Sequence, residues 1–291
     1  MKLFTKIALF LSLGLFSITA LDAQEMPAKS SKASTSFTIG YTDITIDYSS
    51  PAVRGRKIFG GLEEWGGVWR AGANARTTIE FSTDVTVGKE KTELKAGKYS
   101  IFMIPNEKED WVVIFNSDTE GSAGEYDESK DVARVNVQAR KGKAERLTYS
   151  IADQGLDRGY ISMAWADKRV IIFINTPALE TMMANVKEAV DGAENDAQKV
   201  NIYAAAIDLL IDVDPKRKVS AERIIKKAVE IGESPRLHYA IAKVNAVNEK
   251  YAEAVTSAKK AMELGDSDAE DRWYGFYKSA IQTSIDTWSK K

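Results

Sequence analysis

The chain has 291 residues, 44% hydrophobic and 28% charged, the profile of an ordinary globular protein. Forty Lys and Arg stand against 42 Asp and Glu for a net charge of −2, a balance that gives no support to nucleic-acid binding. The absence of Cys and the single His, His238, exclude disulfides, thiolate nucleophiles, iron–sulfur clusters, Cys-based zinc sites and multi-His metal centres.

Residues 1–23 read MKLFTKIALFLSLGLFSITALDA. Lys2 and Lys6 form a positive start, an apolar run follows from Ile7 to Ile18, and Ala20 and Ala23 offer small residues for cleavage. This is the layout of a secretory signal peptide, and the run is shorter than the ~20 residues that span a bilayer. No later segment is long and apolar enough to cross a membrane. The expected location is therefore periplasmic or secreted, with 24–35 as a linker.

From 36 to 176 the apolar pattern has period two. Ile44, Ile46 and Tyr48 alternate with Thr45 and Asp47, and Tyr99–Ile104 and Trp111–Phe115 are rich in aromatic and β-branched residues. Leu147, Tyr149 and Ile151, then Ile161, Met163 and Trp165, continue the alternation. About nine strands are expected, with tight connections at 95–98 and 166–168, which argues for an antiparallel β-sandwich or barrel.

After Pro177 the period moves to three or four and Ala becomes frequent. Helices are expected at 178–191, 197–212, 220–231, 236–248, 251–264 and 269–288. Residues 221–232 align with 254–265 at an offset of 33, close to the tetratricopeptide period. The usual Pro and first-helix Trp and Gly signals of that repeat are displaced or missing. The reading for 177–291 is thus a degenerate, tetratricopeptide-like helical-hairpin array of about three pairs. The fold class is a multidomain β plus α chain.

The string SSPAVRGRKIFGGLEEWGGVWRAGANARTTIEFS at 49–82, with LKAGKYSIFMIP at 94–105 and DWVVIFN at 110–116, resembles the family known as domain of unknown function 2911. The resemblance covers residues from about 30 to 175. It implies a β-rich exported domain of Gram-negative bacteria with no established activity, and it supplies no catalytic residue.

The same string carries the candidate site. Arg54, Arg56, Trp65, Trp69, Arg70, Asn74 and Arg76 are interleaved with six glycines. Arg presents a planar fork that matches carboxylate, sulfate or phosphate, and Trp offers a flat apolar face. Such a set suits an anionic or carbohydrate ligand. A structural reading stands beside it, in which Trp69 plugs the sandwich, Arg70 pairs with a carboxylate such as Glu80, and Asn74 takes a left-handed turn.

Elsewhere the chemistry is sparse. Asp43 and Asp47 share one face of a strand, where acidic side chains are ordinarily solvated. Glu125, Asp127, Glu128 and Asp131 form an acidic loop without EF-hand spacing. His238 lies in a helix outside the β region. No phosphate-binding Gly-rich motif or dinucleotide fingerprint occurs, so no cofactor, metal or catalytic residue is assigned. The expectation is a binding or adaptor protein of the bacterial envelope, with an unknown protein or peptide on the helical face. The alternative is an envelope enzyme acting on glycan or peptide by carboxylate, Tyr or Arg chemistry.

Overall fold

The computed structural model describes residues 27–120, 124–268 and 270–291. The expected signal peptide lies outside them.

Ten strands run from Ser31 to Asn175: β1 (Ser31–Ile39), β2 (Thr42–Ser50), β3 (Thr77–Phe81), β4 (Val85–Val87), β5 (Thr92–Leu94), β6 (Gly97–Ile104), β7 (Trp111–Asn116), β8 (Asp131–Val137), β9 (Ala139–Gly155) and β10 (Arg158–Asn175). They form two antiparallel sheets, ordered β1-β2-β3-β6-β7-β8 and β5-β4-β10-β9. Period-two alternation turns Ile44, Ile46, Ile79, Phe81, Ile101 and Met103 of one sheet and Leu147, Ile161, Met163 and Ile172 of the other into a single core. The sheets also meet at a corner. Residues 51–53 continue β2 and pair with β9, where Val53 N donates to Glu145 O at 2.7 Å and Leu147 N to Pro51 O at 3.0 Å.

Two expectations need correction. β1 begins at Ser31, so residues 31–35 of the expected linker are strand. This strand lies at a sheet edge and is exposed on both faces over most of its length, so it carries no apolar alternation to reveal it. Residues 166–168, expected as a connection, lie inside β10. The turn signal there has a physical basis. The register with β9 shifts on both sides of Ala166, and Ala166 takes φ 52°. The strand bends so far that Thr176 N donates to Asp157 O at 2.8 Å, bringing its two ends together.

Six helices follow: α1 (Ala178–Asp191), α2 (Asp196–Val213), α3 (Lys218–Val229), α4 (Pro235–Val247), α5 (Tyr251–Asp266) and α6 (Arg272–Trp288). Asn195, Ser234 and Asp271 cap α2, α4 and α6 by accepting from the backbone N–H of Gln198, Leu237 and Tyr274. The internal repeat corresponds to α3 and α5. Ala221 and Ala228 are buried in one, and Ala254 and Ala261 at the matching places in the other. α2 packs on α3 and α4, and α4 on α5, so consecutive hairpins stack. Gly265 has no side chain because the Tyr274 ring lies where its Cβ would be.

The β9–β10 turn enters the helical part. Leu156 joins the apolar cluster of Ala178, Met182, Ile207 and Leu210. Around it Arg158 pairs with Asp214 at 2.8 Å, and Arg217 pairs with Asp157. No helix among the described residues is long and apolar enough to cross a membrane.

Candidate functional site: an arginine-lined cleft

The loop between β2 and β3 is built around tryptophan and a strained backbone. Trp69 exchanges two backbone hydrogen bonds with Met103, each 2.7 Å, and the residue is only 3% exposed. It stacks on Trp165 with ring centroids 5.5 Å apart and donates from Nε1 to Gly72 O at 3.2 Å. Two residues on, Ala71 is fully buried in the left-handed region at φ 53°. An L residue there costs roughly 1–2 kcal/mol. The surroundings hold it: its carbonyl accepts from Thr77 Oγ1 at 3.0 Å and from the Tyr149 hydroxyl at 2.8 Å. Arg70 is fixed between these two anchors.

Arg70 faces a cleft of about 480 Å³ whose walls include Arg54, Arg56, Asn74, Lys29, Glu63 and Trp165. Several of these side chains are partly engaged. Arg56 folds onto its own loop, donating from Nε to Val53 O at 3.0 Å and from Nη2 to Ala52 O at 2.6 Å. Arg54 donates from Nη2 to Lys29 O at 3.3 Å, and Asn74 from Nδ2 to Ser30 O at 3.1 Å, so both hold the start of β1 against the cleft. Asn74 takes the expected left-handed turn, φ 56°, and Arg54 takes one as well, φ 51°.

Two donors in this wall are left over. Arg70 Nε and the Trp165 indole N–H are both buried without a hydrogen-bond partner. Glu63 is the carboxylate of the cleft. Burial pushes its pKa up to about 7, and the nearby Arg70 and Arg56 only partly offset that. The partner proposed for Arg70 in the structural reading, Glu80, lies on the exposed face of β3 opposite Lys98, so the carboxylate that senses Arg70 is Glu63.

The remaining sequence candidates separate. Trp65 is half-buried against Phe59, with ring centroids 6.2 Å apart, and does not line the cleft. Arg76 is buried elsewhere. It donates to Asp118 O at 2.6 Å and Glu125 O at 2.7 Å, pairs with the Asp118 carboxylate at 3.2 Å, and lies over the Phe102 ring. The acidic loop is internally occupied: Asp131 accepts from Asn116, Tyr126 and Arg134, while Asp127 accepts from Ser129. Asp43 and Asp47 are exposed on β2. His238 lies 3.5 Å from Glu233, and burial lowers its pKa.

Comparison with curated proteins found no match, and comparison with solved structures found none. Residues 30–174, the region that builds both sheets and the cleft, match the model described as "Protein of unknown function (DUF2911)". The β region of the chain therefore matches the DUF2911 family, and the helical part follows at 178–288.

Proposed function

We propose that the protein is an exported binding or adaptor protein of the bacterial cell envelope, in which the β unit at 36–176 holds an anionic group in the arginine-lined cleft. The helical unit at 177–291 offers a stacked-hairpin surface to a protein or peptide. Export is supported by the charge and apolar layout of residues 1–23. The observation that carries the ligand reading is the pair of buried, unpartnered donors, Arg70 Nε and Trp165 Nε1. Each such group costs about 1–3 kcal/mol while unsatisfied. An oxyanion in the cleft supplies acceptors to both, and Arg54, Arg56 and Lys29 add positive charge.

The test is titration calorimetry with phosphate, sulfate and acetate, on the native chain and on Arg70→Ala. Binding of at least one anion, weakened tenfold or more by a variant whose melting temperature stays within about 4 °C, supports the reading. Absence of binding by all three, or a drop above about 6 °C, assigns Arg70 to structure instead.

A second reading, an enzyme using carboxylate chemistry, is favoured by one observation: Glu63, with its pKa near 7, is tuned for proton transfer. A paired-carboxylate hydrolase needs a second such group. Among the described residues that line the cleft, Glu63 is the only carboxylate.

A further inference from the structure

The bend in β10 has placed Tyr160 and Phe173 on the walls of one groove, which shares no lining residue with the arginine-lined cleft. Each lies between buried neighbours, Gly159 and Ile161 or Ile172 and Ile174, and so faces solvent rather than the core. Phe173 is 37% exposed. The groove has a volume of about 250 Å³. Its walls also carry Asn136, Gln138, Gln154, Arg140 and Lys89. The β4–β5 turn that brings Lys89 there is fixed from two sides. Gly88 N donates to Phe173 O at 2.9 Å, and Gly88, at φ +77°, packs its backbone against Val135.

None of these five polar side chains makes a hydrogen bond or ion pair to another described residue. No Asp or Glu lines the groove. Its polar and aromatic inventory is therefore two aromatic rings, three side-chain amides and two cations, all uncommitted. The rings offer flat apolar surface to the C–H face of a pyranose ring. The amides both donate and accept, as hydroxyl groups require. Arg140 and Lys89 leave positive charge that a neutral sugar does not neutralise, and an arginine fork matches a carboxylate or sulfate. The volume is below the ~300–1,000 Å³ of drug-sized pockets, which suits a single ring or the end of a chain.

We propose that this groove is a second binding site, which takes the acidic unit of a saccharide, a uronic or sulfated sugar. It is independent of the anion reading of the other cleft.

The test is affinity gel electrophoresis of the full chain through polygalacturonate, with neutral dextran as the comparison. The chain carries a net charge of −2, so its overall charge gives no general attraction to a polyanion. The expected result is retardation by polygalacturonate and none by dextran, weakening with added salt. Phe173→Ala and Arg140→Glu are each expected to reduce it at least tenfold, and Lys227→Glu, the same charge change at an exposed position of α3, to leave it unchanged. Arg140 is exposed, so its variant keeps the readout interpretable even if the loss of the Phe173 ring disturbs the sheet. Failure of polygalacturonate, alginate and chondroitin sulfate alike to retard the chain would overturn the proposal. So would equal retardation by dextran, or retardation that survives both groove variants.

Discussion

Replacing Glu63 with glutamine tests the electrostatics of the cleft without needing its ligand. Burial lifts the Glu63 carboxyl from 4.5 to about 7 in the folded chain. Between those two values the unfolded chain has released the proton and the folded chain retains it. Stability therefore falls as pH rises through this window, and the loss is complete above about pH 7. At about 1.4 kcal/mol per pKa unit the ceiling is ~3 kcal/mol. Glu63 is only half-buried, and solvent screening reduces the expected loss to roughly 1–2 kcal/mol. The glutamine side chain keeps the shape and cannot ionise. The native chain and Glu63→Gln are expected to melt together at pH 4.5, and the variant to melt about 2–6 °C higher at pH 8. Tryptophan fluorescence is the assay of choice, because Trp69 and Trp165 lie beside the cleft and report on the β part. A melting difference of the same size at both pH values, or a native chain favoured at pH 8, would refute the reasoning. The same linkage makes anion affinity fall as pH rises through 7, because an anion in the cleft favours protonated Glu63.

Three further outcomes follow from the packing. Arg76→Ala removes a side chain that is 3% exposed and strands the carbonyls of Asp118 and Glu125; a loss of about 3–5 kcal/mol is expected by urea denaturation. Asp214→Ala frees Arg158 and Arg217 from a carboxylate that is 3% exposed, and about 1–3 kcal/mol should be lost, read as separation of the β and helical melting transitions. Gly40→Ala puts a methyl group against Ala178 and the Leu156 carbonyl at a left-handed φ of +62°, and should cost more than ~1 kcal/mol in the same melt.

The helices were nearly all legible because Ala and apolar residues recur at helical spacing and Asn195, Ser234 and Asp271 are strong caps. Strand content was legible from alternation. Its limits were local: β1, with one neighbour and two wet faces, leaves no pattern, and β10 carries a turn signal that bends it without ending it. The candidate loop was legible because glycine and arginine crowd there. Arg54, Arg56, Arg70 and Asn74 do share a cleft, but Trp165 and Lys29 reach it from distant segments that no local spacing connects. Glu63 lies within the same string but is not among its sequence candidates. Its signal was a carboxylate set among arginines, and its altered acidity comes from burial, which a sequence does not print. Arg76, only two residues beyond Asn74, serves a different loop because the chain has by then turned toward β3.

Leu156 has a consequence for how this chain can be recombined. The family match ends at residue 174, yet the tip of the β9–β10 turn is buried by helices beyond that point. A chain that joined the same β region to a different tail would present an uncovered leucine, worth about 1.5–3 kcal/mol of burial, together with the charged pair Asp157 and Arg158. Transplanting the β region therefore requires a change at its tip. Relatives that lack this helical tail are expected to carry a polar residue in place of Leu156, or another element to cover it.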